Sequence, residues 1–142
     1  MPVELPMRTV IDTNVVFEGL TKQGGASGLI IDAWLADVFH PFISNALAYE
    51  YVDVLSKKLS RKRWQTIKPV LGKLLNHVEF VTVYFSWRPS SPDPADEHVV
   101  DCAMNAGATV ITNNIRDFKM AEQSLGLRII TPVEFVKLLI NV

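Results

Sequence analysis

Short apolar runs alternate along this chain with longer segments of helical periodicity, and that alternation constrains the fold more than any other feature. The run Met7–Asp12 is rich in Thr, Val and Ile, which predicts a first strand. Further strands are predicted at Pro41–Ile43, Val78–Phe85, Thr109–Thr112 and Leu127–Ile130. An order of strand, helix, strand and helix is typical of a parallel sheet, so we predict an α/β fold.

Apolar spacing and end signals predict the helices that connect these strands. The predicted helices run over Ser27–Val38, from the N-cap candidate Ser44 to about Leu59, over Trp64–His77, from about Pro94 to Ala106, and onward from Thr131. Pro69 is predicted to kink the third of these helices or to start it. The segment Arg88–Pro94 contains three prolines and is predicted to be a loop.

Length and composition fit one globular domain of 142 residues. Since Cys102 is the single cysteine, an intrachain disulfide and a cysteine-based zinc site are both excluded. No apolar run approaches the roughly 20 residues of a membrane span, and the N-terminus lacks the pattern of a signal peptide. We therefore expect a cytoplasmic protein that makes no contact with a membrane.

The net charge of −1 gives no overall sign of a nucleic-acid-binding protein, but the basic residues are clustered. Seven of the fourteen are Lys57, Lys58, Arg61, Lys62, Arg63, Lys68 and Lys73. No acid interrupts them between Asp53 and Glu79. This cluster is either a solvated helical face or a surface that attracts RNA phosphates. Under the second interpretation, the RNA backbone contacts Lys57, Lys58, Arg61, Lys62 and Arg63.

Two groups of polar residues follow predicted strands. Asp12 ends the first strand, and ligands of parallel sheets bind beyond the carboxyl ends of strands. The alternative for Asp12 is a turn or helix cap. Thr112 ends the fourth strand and Asn114 and Asp117 follow it, so they are predicted to line the same crevice.

Two further acids are predicted to face inward from helices. Glu50 lies three residues after Leu47 and four before Val54, so it shares their apolar face. The alternative is an exposed position at the edge of that apolar stripe. Asp96 shares a face with the valines that follow it and is predicted to point toward the sheet. The other acids of the segment 93–97 are explained by the helix dipole alone, because acids are favourable in a first turn.

Acids from separate segments are thus predicted to converge on one edge of the sheet. Like charges held close together repel and raise each other's pKa. A hard divalent cation relieves this repulsion, and ligands that are all oxygen favour Mg²⁺ or Mn²⁺. Such an ion lowers the pKa of water and stabilises the transition state of phosphodiester hydrolysis. The sequence therefore predicts metal-dependent phosphodiester chemistry.

The chain resembles the PIN-domain family, and more closely its VapC-like branch of toxin components from toxin–antitoxin systems. The resemblance covers nearly the whole chain and depends on the order of its motifs. These are Val-Ile-Asp-Thr-Asn-Val (10–15), Ser44 with Glu50 six residues later, Asp-Pro-Ala-Asp-Glu (93–97), Val-Ile-Thr-Asn-Asn-Ile-Arg-Asp-Phe (110–118) and Ile-Ile-Thr-Pro-Val-Glu-Phe (129–135). The resemblance implies a three-layer α/β/α fold over residues 1–142, with a central parallel sheet of about five strands.

The resemblance also implies the roles of particular residues. Asp12, Glu50 and Asp96 match the first three acidic positions of the family and are expected to hold Mg²⁺ or Mn²⁺. These three and Asp117 are expected to be catalytic. Asn114 stands where many relatives have Asp, which favours one strongly held ion over two. The supporting positions are Thr13, Asp101, Thr112 and Asn114.

The expected function is a metal-dependent endoribonuclease that cleaves single-stranded RNA and acts as the toxin of a toxin–antitoxin pair. The resemblance suggests a small antitoxin as partner and a homodimer as assembly. The alternative is a catalytically weak RNA- or protein-binding module with the same fold, motivated by Asn114. A small-molecule phosphatase ranks last, because no Asp-x-Asp arrangement follows the first strand.

Overall fold

A parallel sheet forms the centre of the computed structural model, which describes residues 7–22, 24–87, 91 and 96–141. In chain order its strands are β1 (Arg8–Ile11), β2 (His40–Ile43), β3 (Glu79–Phe80), β4 (Thr109–Ile111) and β5 (Ile129–Ile130). All neighbouring pairs are parallel, and the spatial order is β3-β2-β1-β4-β5. The predicted α/β class with a parallel sheet of about five strands is therefore confirmed.

Seven α-helices and a 3₁₀ helix connect the strands within the described residues. They are α1 (Thr13–Thr21), α2 (Gly25–Leu35), α3 (Asn45–Lys58), α4 (Arg61–Leu75), α5 (Glu97–Ala106), the 3₁₀ helix (Ile115–Phe118), α6 (Lys119–Leu125) and α7 (Pro132–Ile140). None of these helices has the length and apolar character that crossing a lipid bilayer requires.

The strand order explains the three layers. Connections from β1 to β2 and from β2 to β3 move toward one edge of the sheet, whereas those from β3 to β4 and from β4 to β5 move the opposite way. Because parallel crossovers are right-handed, the first two connections cover one face and the last two cover the other. In agreement with this rule, α5 packs against β1, β2 and β4. The direction of winding reverses between β1 and β4.

Local signals fix several helix ends where the sequence predicts them. Ser44 caps α3, since its hydroxyl accepts a hydrogen bond from the Leu47 N–H at 3.2 Å. Thr131 and Glu134 form a reciprocal capping box at the start of α7. Gly107 ends α5 in a left-handed conformation with φ of 62°. These caps confirm the predicted boundaries at both α3 and α7.

The predicted strand Val78–Phe85 is wrong beyond Phe80. The neighbouring strand β2 ends at Ile43, so its last pairing partner is Phe80, and only the Val81 N–H still reaches the Ile43 carbonyl. Past that point the chain bonds to α5 instead. The side-chain oxygen of Asn105 accepts from the Tyr84 N–H at 3.0 Å, and its amide donates to the Phe85 carbonyl at 2.9 Å.

Two helices, α1 and α6, were not predicted from the sequence, and other boundaries differ. The predicted helix Ser27–Val38 begins instead at Gly25 and ends at Leu35. Pro69 lies inside α4, which begins at Arg61, so this proline does not start the helix. Apart from Ser91, the predicted loop at 88–94, including Pro94, lies outside the described residues.

The core is one apolar cluster that extends from β1 to α7. Trp34, predicted to be a core residue, is buried, and its indole N–H lies 3.1 Å from the Leu74 carbonyl and 3.0 Å from that of His77. Phe39 packs edge-to-face against both Trp34 and Phe135. These contacts join α2, α4 and α7 on one side of the sheet, which leaves the carboxyl ends of β1 and β4 free to form a site.

Candidate active site at the carboxyl ends of β1 and β4

Asp12 and Thr112 meet where the winding of the sheet reverses. Each is the first residue after its strand, β1 or β4, and the two strands are paired in register from Thr9 with Thr109 to Ile11 with Ile111. The Thr112 hydroxyl donates to the Asp12 carboxylate at 2.7 Å. Such a reversal point is where open α/β sheets bind their ligands, because adjacent connections diverge and leave a crevice.

The Asp12 carboxyl group is buried, with 2% of the residue exposed. Burial raises its pKa from 3.8 to about 6, and the nearby Glu50 charge acts in the same direction, whereas hydrogen bonds from Thr112 and from the Thr13 and Asn14 amides lower it. Desolvation is the largest of these effects and decides the direction of the shift. A carboxylate in this setting is stabilised when a positive charge binds beside it.

Glu50 reaches the same edge from α3. The residue is half-buried, and its carboxylate accepts a hydrogen bond from the Thr13 hydroxyl in the first turn of α1. Leu47 and Leu55 on the same helix are fully buried, as the predicted apolar stripe requires. The structure thus brings together four of the predicted site residues, Asp12, Thr13, Glu50 and Thr112.

Asp96 and Asp101 are both buried on α5 or at its start. Asp96 precedes the first residue of the helix, and the Ser91 hydroxyl lies 3.5 Å from its carboxylate. The same hydroxyl donates to the Asp117 carbonyl at 3.1 Å. Asp101 accepts a hydrogen bond from the Ser86 hydroxyl at 3.1 Å, so it helps to hold the segment that follows β3.

Ser91 was not identified from the sequence as a site residue. It is 4% exposed and connects the Asp96 carboxylate to the main chain of Asp117, two predicted site residues from different elements. A serine in a proline-rich segment carries no periodicity and matches no motif, so no sequence signal identified it.

Asn114 and Asp117 form the outer part of the site. Asn114 is exposed, and its main-chain N–H donates to the Thr112 hydroxyl at 3.0 Å. Asp117 lies in the 3₁₀ helix, is half-buried, and its N–H donates to the Asn114 carbonyl at 3.0 Å. The main chain after β4 is thus organised around Thr112, while both side chains lie near the surface.

The basic residues lie away from the acids, at the end of α3 and the start of α4, where they contact α1. Lys58 is just over two turns of α3 beyond Glu50, which is about 12 Å along the helix axis. Its ammonium group lies 5.2 Å above the Phe17 ring, and the Arg63 guanidinium donates to the Thr21 carbonyl at 3.2 Å. Lys57 pairs with Asp53 at 3.0 Å. All five residues predicted to contact RNA are exposed.

The chemistry of the donor set fits a hard divalent cation. Asp12 and Glu50 offer carboxylate oxygens, Thr13 and Thr112 offer hydroxyls, and burial leaves Asp12 with a carboxyl group that a cation would stabilise. Within the described ranges no three Asp, Glu, His or Cys side chains are grouped closely enough to hold an ion by themselves. Hydration water would therefore complete the ion's coordination, as is usual for Mg²⁺.

Comparisons with known proteins agree with this fold. A sequence model described as the PIN domain matches residues 8–116. The chain is similar in fold to the crystal structure of VapBC2 from Rickettsia felis bound to a DNA fragment from their promoter. That match has a TM-score of 0.64 and 17% sequence identity, and covers 88% of this chain and 98% of that chain.

Two more solved structures share the fold, each at 17% sequence identity. FitAcB from Neisseria gonorrhoeae has a TM-score of 0.60 and covers 87% of this chain and 97% of that chain. FitAB bound to an IR36 DNA fragment has a TM-score of 0.59, with 87% and 94% covered. At this identity the similarity shows the fold alone. No curated protein matches the chain by sequence.

Proposed function

Because this chain belongs to the PIN domain family, whose members are nucleases, we propose that it is a metal-dependent endoribonuclease that cleaves single-stranded RNA. One observation carries the proposal. A buried carboxylate, Asp12, lies at the reversal point of the sheet beside a second carboxylate, Glu50, and its pKa is raised to about 6. Both acids would be stabilised by a cation bound near them.

The proposed cofactor is Mg²⁺ or Mn²⁺, held by Asp12, Glu50 and Asp96 in part through hydration water, since these three carboxylates do not form a close group in the described residues. Bound there, the ion supplies a water of lowered pKa and neutralises charge at the scissile phosphate. Thr112 holds the Asp12 carboxylate in one orientation, and Thr13 does the same for Glu50. Asp117 and Asn114 complete the outer wall, where an entering phosphate meets the site.

The exposed basic residues of the segment 57–63 are proposed to bind the RNA backbone beyond the cleaved bond. Lys57 and Lys58 lie about two helical turns of α3 beyond Glu50, and Arg61 begins the next helix, so the segment would meet phosphates several positions away. Replacing Arg61, Lys62 and Arg63 with glutamine is expected to reduce the slope of log affinity against log salt for single-stranded RNA, by about 0.7 for each phosphate that is no longer neutralised. If these residues form only a solvated helical face that does not bind RNA, the slope will be the same in the variant and in wild type.

A toxin role and a small antitoxin partner are further parts of the proposal. They are supported by the VapC-like motifs and by the shared fold with VapBC2 and FitAB. A cleft of about 510 Å³ between α1 and α2, lined by Leu20, Leu29 and Ile31 among others, has room for an apolar segment of such a partner. Inhibition of RNA cleavage by the product of a neighbouring small open reading frame tests this part directly.

We also propose that the protein forms a homodimer. We propose a cytoplasmic location as well, because the proposed substrate is RNA. Exposed apolar side chains support self-association, namely Tyr49 and Val52 on α3 and Phe80, Tyr84 and Phe85 near the sheet edge. Each subunit would act as one PIN-like domain over residues 1–142, since one apolar core extends from Met7 to Phe135. Light scattering distinguishes a dimer from the 15.9 kDa monomer.

The decisive experiment is a ribonuclease assay on single-stranded RNA with Mg²⁺ or Mn²⁺, comparing wild type with Asp12→Asn. Cleavage by wild type and its loss in the variant support the proposal, whereas equal activity in both rejects it.

The alternative function is an RNA- or protein-binding module with weak catalysis. It is favoured by the neutral, exposed Asn114 at the fourth acidic position, and absence of Mn²⁺ binding at millimolar concentration would select it.

A further inference from the structure

Two consecutive residues of α3 hold the chain on either side of Asp12. The Glu50 carboxylate accepts a hydrogen bond from the hydroxyl of Thr13, the residue after Asp12. The Tyr51 hydroxyl donates to the carbonyl of Ile11, the residue before Asp12. The helix that presents one carboxylate is therefore hydrogen-bonded twice to the three-residue stretch that presents the other.

Tyr51 is buried in a place where its hydroxyl needs a partner. The residue is 1% exposed, and burying a phenol without a hydrogen bond is unfavourable. Burial and the nearby Cys102, Asp12 and Glu50 raise the pKa of Tyr51 well above its usual value, so the hydroxyl remains a donor at any physiological pH. The Ile11 carbonyl is the acceptor that this donor finds.

The Ile11 carbonyl is available because of where the strand ends. Successive main-chain groups of a strand point alternately to its two neighbours. The Asp12 N–H points toward β4, where it donates to the Ile111 carbonyl at 3.0 Å. The Ile11 carbonyl faces the β2 side, beyond the paired residues Thr9 and Pro41. Tyr51 occupies the position that a longer β2 ladder would have taken.

We propose that Tyr51 is a positioning residue which, with Thr13, sets the separation of the Asp12 and Glu50 carboxylates and thereby the affinity of this site for a divalent cation. The inference rests on the proposed metal-dependent function. Tyr51 is assigned a positioning role rather than that of a ligand, because its hydroxyl donates to the main chain beside Asp12. Residues that orient metal ligands in this way typically contribute about 10- to 100-fold to metal affinity or activity.

The test is Mn²⁺ affinity, measured by calorimetry on the full chain, for wild type and Tyr51→Phe. This substitution removes the hydroxyl and keeps the ring, so we expect binding to weaken by about 10-fold or more. Tyr49→Phe is the matched control, since Tyr49 lies on the same helix but is 72% exposed, and it should bind as wild type. Ile30→Val, in the buried core of α2, controls for a general loss of stability.

A second pair of variants tests the other hydrogen bond. Thr13→Val should weaken Mn²⁺ binding in the same way, and Thr13→Ser should restore it because the hydroxyl returns. Mn²⁺ affinity equal to wild type in folded Tyr51→Phe, or equal losses in Tyr51→Phe and Ile30→Val at equal melting temperature, would overturn the inference. If Tyr51→Phe does not fold, the contrast between Val and Ser at Thr13 decides.

A measurement without metal separates this inference from the proposed function. If wild type binds no Mn²⁺ at millimolar concentration, the proposed cofactor is wrong. Carboxyl ¹³C signals of Asp12 and Glu50 in the metal-free protein then report any change in the surroundings of the two groups. We expect Tyr51→Phe to shift both signals, and Ile30→Val to shift neither. Unchanged signals in Tyr51→Phe would reject the positioning role in any case.

Discussion

The two sides of the candidate site are built differently, although both follow strands of the same sheet. The anchored side consists of Asp12, Thr13, Glu50 and Thr112, whose carboxylates accept hydrogen bonds from hydroxyls. The open side consists of Asn114 and Asp117, which are held through main-chain hydrogen bonds while their side chains lie near the surface.

This difference indicates that the two sides suit different ligands. Groups that are buried and hydrogen-bonded lose little entropy when they bind a ligand, so they suit a small ion with strict geometry. Exposed groups keep their freedom and suit a large, variable ligand such as an RNA strand. Substitutions on the anchored side should therefore have large effects that depend on the metal, whereas substitution of the exposed Asn114 on the open side should have a small one.

The largest effect is expected for Asp12→Asn. Loss of a charged ligand at the metal removes several kcal/mol of transition-state stabilisation, which corresponds to a decrease in RNA cleavage on the order of 1000-fold. Single-turnover cleavage with saturating Mn²⁺ measures it. If cleavage decreases no more in Asp12→Asn than in Asn114→Ala, the anchored side and the open side contribute equally to RNA cleavage.

The next effect concerns stability and pH in the metal-free protein. The pKa of Asp12 is about 6 when folded and 3.8 in the absence of structure, so the folded state binds the extra proton between these values. The free energy of unfolding should therefore fall as pH rises from about 4 to about 6, by roughly 3 kcal/mol.

Urea denaturation across this pH range, with Asp12→Asn as reference, isolates the contribution of Asp12. The variant should lack the decrease, and above the folded-state pKa, without metal, it should be more stable than wild type. Saturating Mn²⁺ should reverse the order, since the ion stabilises the carboxylate. If metal-free wild type is no less stable than Asp12→Asn in that range, the buried Asp12 charge does not lower the free energy of unfolding.

A smaller effect is expected for Thr112→Val, which removes the hydroxyl that orients Asp12. We expect Mn²⁺ affinity or cleavage to fall by roughly 10- to 100-fold. Thr9→Val is the matched control, because Thr9 is equally buried on β1 but its hydroxyl has no hydrogen-bond partner in the described part of the chain. That control should retain affinity and be as stable as wild type or more stable.

The smallest effect is expected on the open side, for Asn114→Asp. The side chain is exposed, so a new carboxylate there adds a screened charge and should strengthen Mn²⁺ binding by only about 2- to 5-fold, decreasing with salt. Calorimetry at two salt concentrations measures this. A second bound ion in the variant would show that the open side can also bind metal when Asn114 is replaced by Asp. The open side would then belong to the metal site.

Most elements that carry the site follow from local sequence. The strand before Asp12 is rich in β-branched residues, and Leu47 and Val54 place Glu50 on the inward side of its helix. Both properties depend on residues a few positions apart, where periodicity is informative. The predicted strand over 78–85 is wrong only in its extent, and for the opposite reason, because the end of β3 is set by where β2 ends rather than by its own residues.

The sequence by itself determined the parallel α/β fold, the position of Asp12 and Thr112 after their strands, and the inward face of Glu50. Only the tertiary structure decided that Thr112 donates to Asp12, that Ser91 connects Asp96 to Asp117, and that Tyr51 reaches the main chain beside Asp12. The physical reason is the distance along the chain over which each property is determined. Periodicity and caps act within one element, whereas burial, pKa and long-range hydrogen bonds depend on residues far apart in the chain, here up to 100 positions for Asp12 and Thr112.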